Sequence, residues 1–273
     1  MRSGHLAARW GIGLIKRHLK PFLKSLPRSF GYDLVPRPKL RASQISHEMQ
    51  SWDKVFCIGA NKTGTTTITQ VLGDLGLRVA EQSYQERSLT RAFHMGCYSE
   101  LIDFAAPWDA FQDQPFSAGQ HYVACDALFP KAKFILTLRD ADDWFSSLCR
   151  FHKRVFGVTS IDELDEAFFK TKGFYLDENL AYETTRRNCL VDYPEGPRPN
   201  WGQLYDPEFR KSQYINRNAA IRQHFEGRDD KLLVLDVTQE TTTQRITRFL
   251  NFEDNMVRTM PHKNKTTGQK NDA

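Results

Sequence analysis

The chain has 273 residues, 40% hydrophobic and 26% charged, with a formal net charge of +5. That length buries a sizeable core in one large α/β domain with an extension, and that balance excludes a mainly disordered chain. Ten of its Lys and Arg residues fall within residues 1–41 beside a single acid, Asp33, which leaves the remainder net acidic and argues against a nucleic-acid binder with charge spread over its folded body.

The five cysteines (Cys57, Cys97, Cys125, Cys149 and Cys189) are odd in number and none forms a CxxC pair. This pattern predicts neither a disulfide framework nor a metal site, and it points to a reducing, cytoplasmic setting. His94 and Cys97 lack the second ligand pair that zinc requires. No run approaches the ~18 apolar residues of a membrane span, and the short apolar run 11–15 is followed at once by Lys16, Arg17 and Lys20, unlike a signal peptide.

In chain order, residues 5–26 read as a basic amphipathic helix divided by Pro21, with Trp10, Leu14, Leu19 and Leu23 among its apolar positions. Such an arm packs on the domain or another subunit; a second reading makes it a peripheral membrane contact through Arg9, Lys16, Arg17, Lys20 and Lys24. Residues 27–50 form a linker containing Pro27, Pro36 and Pro38, so residues 1–50 constitute an arm and linker ahead of a main domain over 51–265 and a polar tail over 266–273.

Lys54–Gly59 is a buried strand ending in glycine, and Thr65–Leu75 a helix whose Ile68, Val71, Leu72 and Leu75 share one face, closed by Gly76. Residues 77–79 open a second strand, 81–108 are aromatic and partly helical, and 109–113 form a short strand stopped by Pro115. A helix is predicted over 117–130, a strand over 134–138, then Asp140 as N-cap of a helix bearing Trp144, Leu148, Phe151 and Val155. Residues 159–211, with Pro194, Pro197, Pro199 and Pro207, read as an irregular insertion with short helices near a bound substrate; a helix around 212–226, a strand over 231–237 and a helix near 241–250 complete the domain. Strands alternating with helices imply a central parallel sheet flanked by helices on both faces, without internal repeats.

The segment Gly59-Ala60-Asn61-Lys62-Thr63-Gly64-Thr65-Thr66-Thr67 lies between a buried strand and an amphipathic helix, where main-chain N–H groups can cradle a phosphate. An NTPase loop, GxxxxGK[ST], carries its lysine after the second glycine; here Thr65 occupies that position and Lys62 precedes Gly64. This displacement opposes an ordinary ATPase or kinase, although Asp236 at the end of an apolar strand is the feature most like a magnesium-holding aspartate. A P-loop nucleotide kinase or NTPase with an atypical phosphate loop is therefore the alternative reading.

Lys62-Thr63-Gly64-Thr65-Thr66 resembles the 5′-phosphosulfate loop of sulfotransferases that use 3′-phosphoadenosine 5′-phosphosulfate (PAPS), and Arg139 with Ser147 eight positions later resembles that family's clasp on the 3′-phosphate. The resemblance runs from about Val55 to Lys265, and its closing segment 261–265 looks like the end of bacterial members. It implies a three-layer P-loop α/β fold and transfer of a sulfuryl group from PAPS to a hydroxyl, less readily an amine, of a carbohydrate or glycolipid-like acceptor, leaving adenosine 3′,5′-bisphosphate. Cofactor-binding roles then fall to Asn61, Lys62, Thr63, Gly64, Thr65, Thr66, Arg139, Ser147, Lys263 and Lys265, with Lys62 on the leaving phosphate and no metal required. The two closing lysines depart from the arginine-lysine-glycine signature of small-molecule members. Asp113, at a strand end and in an Asp-x-Pro element similar to that of bacterial members, is the expected general base, with His94 and His121 in reserve. The acceptor's identity and the oligomeric state stay open.

Overall fold

The structure, a computed structural model, describes residues 51–171 and 178–261. The arm and linker, the helix over 5–26, the polar tail, and both Lys263 and Lys265 lie outside the described residues.

The chain builds β1 (Val55–Cys57), α1 (Thr65–Asp74), α2 (Gln82–Met95), α3 (Tyr98–Ala105), β2 (Ala110–Gln112), α4 (His121–Leu128), β3 (Lys133–Thr137) and α5 (Ala141–Phe156). There follow α6 (Glu166–Thr171), α7 (Glu178–Arg187), a small hairpin of β4 (Leu190–Val191) and β5 (Arg198–Pro199), α8 (Pro207–His224), β6 (Leu232–Leu235) and α9 (Gln244–Phe249). The main sheet has the order β2-β1-β3-β6, and all its pairings are parallel. The fold is α/β, with this sheet flanked by helices.

Both faces of the sheet are covered, so its strands are nearly continuous in apolar residues. One face turns Phe56, Phe111, Phe134 and Leu136 toward α2, α3, α4 and the end of α8. There Phe56 stacks on Phe111 at 4.9 Å and Phe116 tilts against both rings. Truncating one such ring to alanine costs about 3–5 kcal/mol. The alternate residues Val55, Cys57, Ile135, Leu233 and Leu235 face the other way, onto Ile68, Val71 and Leu72 of α1 and Ile246 of α9.

The loops after β1 and β3 leave neighbouring strands at their carboxyl ends. The chain runs from β1 to β2 on one side and from β3 to β6 on the other. The crevice between β1 and β3 is thus the switch point at which open α/β sheets bind ligands.

Three local expectations need correction. The strand over 77–79 is a single bridge, Val79 to Ala110, at the outer edge of β2. The last strand stops at Leu235 because the Asp236 carboxylate accepts the Thr238 amide and hydroxyl at 2.8 and 2.7 Å and turns the chain. Pro207 starts α8 instead of interrupting the insertion, since Asp206 caps the Phe209 amide and proline suits the first helical turn.

Candidate active site

The loop after β1 is braced on three sides. Gly59 lies so close to β3 that a Cβ there would come within 1.9 Å of the Thr137 hydroxyl, and a Cβ on Gly64 would meet Val237 at 3.0 Å. The Thr63 hydroxyl donates to the Ala60 carbonyl at 2.6 Å and shares a 2.6 Å hydrogen bond with Thr137. The Trp144 indole N–H donates to the Asn61 carbonyl at 2.9 Å, and Ser117 donates to the Asn61 side chain at 2.9 Å.

Lys62 and Gly64 both take left-handed backbone angles, φ 74° and 98°. Such alternation gathers successive N–H groups into an anion-binding concavity. The amides of Gly64, Thr65 and Thr66 have no partner among the described residues, as the first turn of a helix requires. These donors carry the positive end of the α1 dipole.

Arg139 follows β3, and Asp140 caps α5 by accepting the Asp142 and Asp143 amides at 3.0 Å each. The Tyr214 hydroxyl accepts the Arg139 amide and donates to its carbonyl, both at 3.0 Å, while its ring stacks on Trp144 at 4.3 Å. Arg139 forms no ion pair among the described residues.

One cleft of about 1120 Å³ is lined by Asn61 to Thr67, Asp113, Arg139 and Ser147 together. The structure therefore brings Asn61, Lys62, Thr63, Gly64, Thr65, Thr66, Asp113, Arg139 and Ser147 into one cleft. His94 and His121 are not among the lining residues; His121 is bonded to the Pro115 carbonyl at 2.7 Å and stacked on Phe93.

The Lys62 ammonium lies 4.2 Å from the centroid of the Phe151 ring. Burial lowers its pKa, the charges of Arg154, Arg139 and Arg150 lower it further, and Asp113 works in the opposite direction. Asp113 sits just beyond β2 with φ 63° and is buried. Its carboxylate accepts the Gln114 amide at 2.9 Å and, more loosely, the Thr65 hydroxyl at 3.4 Å. Burial pushes its pKa up to about 6, against the pull of the Gln114 and Thr65 hydrogen bonds, the Lys62 charge and the Asn61 side chain. A carboxylate so tuned is ionised at neutral pH and still basic enough to take a proton.

Sequence reasoning missed several residues in the same cleft. Arg150, Phe151 and Arg154 lie on the α5 face that continues from Ser147, and Glu86 comes from α2. The i+3, i+4 and i+7 spacing from Ser147 was the available signal for the α5 residues. Phe169, Thr184, Thr185, Leu204, Tyr205 and Arg210 bring the insertion into the lining of the cleft. Asp236 does not line it, and its carboxylate is taken up by Thr238. Among the described residues, no group of three or more His, Cys, Asp or Glu side chains could hold a metal, and no helix is long and apolar enough to cross a membrane.

A family model described as a sulfotransferase domain matches residues 54–268. The chain belongs to the sulfotransferase family. No curated protein matches it. Membership implies, in coarse terms, a transferase that moves a sulfuryl group.

Proposed function

We propose that this sulfotransferase moves a sulfuryl group from PAPS to a hydroxyl, less readily an amine, of a carbohydrate or glycolipid-like acceptor. The observation that carries this reading is that Lys62, the amides of residues 64–66, unpartnered among the described residues, and Arg139 line one cleft at the carboxyl ends of β1 and β3. PAPS carries a phosphosulfate at one end and a 3′-phosphate at the other. The two cationic seats fit it: the loop after β1 offers N–H donors and an ammonium, and Arg139 with Ser147 offers a guanidinium fork and a hydroxyl.

When bound, the donor supplies the activated sulfuryl group. The protein's contribution is position and charge. Asp113 accepts the acceptor's hydroxyl proton on its carboxylate as the acceptor oxygen bonds to sulfur. The Lys62 ammonium and the amides of Gly64, Thr65 and Thr66 would hold the donor's 5′-phosphate and meet the charge left there as its bond to sulfur breaks. Thr65 and Thr66 add hydroxyl donors at the same end. In this reading the basic segment 5–26 rests on a membrane surface and delivers the enzyme to a lipid-linked acceptor; liposome flotation of the full chain against a chain lacking residues 1–26 tests it, with loss of flotation expected and identical flotation refuting it.

The test of the reaction itself is incubation of the full chain with sulfur-labelled PAPS and a host extract. A labelled hydroxyl ester, absent with Lys62→Ala, is expected. Phosphate transfer from ATP–magnesium with no sulfate transfer would instead establish the kinase reading.

A further inference from the structure

The cleft has two chemically different walls. On one stand Lys62, Arg139, Arg150 and Arg154, the cations that suit a nucleotide. The other is formed by Glu81, Gln82, Ser83 and Glu86 from the start of α2 and by Asp113 and Gln114 beyond β2, and it carries carboxyl, amide and hydroxyl groups with no cation. The two parts of this second wall are joined. Gln85 of α2 donates its side-chain amide to the Gln112 carbonyl, and at 2.6 Å to the Gln114 carbonyl, gripping the loop that carries Asp113 from both sides.

Glu86 is the anomaly in this wall. It is only 5% exposed, and its Oε2 has no hydrogen-bond partner among the described residues. A buried polar atom left unsatisfied costs about 1–3 kcal/mol, so an orphaned carboxyl oxygen on a residue that lines the cleft calls for a polar partner.

We propose that Glu86 is an acceptor-binding residue, taking a second hydroxyl of the acceptor next to the one that Asp113 deprotonates, so that the acceptor is a neutral vicinal diol of the kind a sugar ring presents. The proposal rests on the sulfuryl-transfer reading above and deepens it. Burial lifts the Glu86 pKa to about 9; the charges of Asp113 and Glu81 push the same way, and Arg87 opposes them. At neutral pH the group is a carboxylic acid, which both donates and accepts a hydrogen bond, as a hydroxyl partner requires. Its neighbour Asp113 is the ionised member of the pair. The wall therefore offers one base and one neutral hydrogen-bonding acid. An anionic acceptor group would meet the Asp113 and Glu81 charges here, and an ammonium group would draw the proton off Glu86.

The test uses the full chain saturated with adenosine 3′,5′-bisphosphate, whose binding is first verified by calorimetry; failure there counts against the sulfuryl-transfer reading and not against Glu86. The infrared spectrum at pH 7 is expected to show a protonated-carboxyl band that disappears in Glu86→Gln. Adding trans-1,2-cyclohexanediol shifts that band, and cyclohexanol shifts it less. A missing band, a band indifferent to the diol, or a band abolished by trans-2-aminocyclohexanol bound in preference to the diol would each overturn the proposal. In turnover, Glu86→Ala raises the acceptor KM about tenfold, the worth of one hydrogen bond, without weakening bisphosphate binding, and Glu86→Gln recovers most of that loss. An unchanged KM in Glu86→Ala would also overturn it.

Discussion

The Lys62 ammonium sits over the Phe151 ring, 4.2 Å from its centroid, in a cleft where Arg139, Arg150 and Arg154 also bear on it. A contact of this kind is worth about 0.5–2 kcal/mol, enough to hold a lysine in place and too little to compete with a charge-assisted bond to a phosphate oxygen. Lys62→Ala is expected to lower kcat about 100- to 1000-fold, the cost of losing one preorganised donor to developing charge, with an unchanged circular dichroism spectrum. Phe151→Leu, which leaves the ammonium but removes its rest, is expected to cost only a few-fold by the same comparison. Both are read by single-turnover kinetics.

Arg139 leaves β3, the strand next to β1, and its main chain is held by Tyr214 while its guanidinium has no ion-pair partner among the described residues. If this side chain reads the 3′-phosphate, Arg139→Ala weakens adenosine 3′,5′-bisphosphate about 10- to 100-fold, the range for a hydrogen bond between charged groups. The same change leaves adenosine 5′-phosphosulfate, which lacks that phosphate, nearly unaffected. Calorimetry with the two ligands measures the difference directly.

The pH profile reports on Asp113, whose burial brings its pKa to about 6. A base must be ionised to accept a proton, so kcat/KM for the acceptor rises with pH up to about 6 and then levels. Asp113→Asn removes this rise and lowers kcat about 100- to 10,000-fold while bisphosphate affinity is retained. An undiminished kcat in that variant would exclude the carboxylate from the proton transfer.

Glu86 gives a stability signature independent of activity. Its pKa is about 9 in the folded chain and near 4.5 when unfolded, so across that window the folded state holds the extra proton. Stability contributed by this group therefore falls as pH climbs from about 4.5 to 9. Glu86→Gln escapes the loss, and its melting temperature relative to the wild type is expected to rise steadily between pH 5 and 9, by an amount worth up to a few kcal/mol. A constant difference across that range would mean that Glu86 titrates normally.

Much of this was legible in the chain because strong local signals carried it. The apolar runs at Val55–Cys57 and Phe134–Leu136 lie in buried strands, Leu232–Leu235 is a strand whose Leu233 and Leu235 are buried, and Asp140 caps α5 as its sequence context suggests. The spacing of the loop glycines and Lys62 raises the expectation of a phosphate cradle, and Lys62 and Gly64 line the cleft. What stayed hidden depends on contacts distant in sequence. Leu77–Val79 has strand composition, yet only Val79 reaches the β2 edge. Glu86 looks like an ordinary exposed helix charge until α2 is laid against β2 and buries it. Its neighbour Gln85 reveals its grip on the Asp113 loop only once residues 112–114 lie beside it. Arg150 and Arg154 look like solvated helix charges until Ser147 and Lys62 fix which side of α5 faces the cleft.

The proposed reaction requires that one cleft seat both ends of a doubly anionic adenosine nucleotide without a metal. Titration of the full chain with adenosine 3′,5′-bisphosphate in the presence of a chelator, beside a titration with ATP–magnesium, tests it most directly. Saturable binding of the bisphosphate that is weakened by Arg139→Ala and indifferent to magnesium is the predicted result; binding of ATP–magnesium alone, with no response to the bisphosphate, would contradict it.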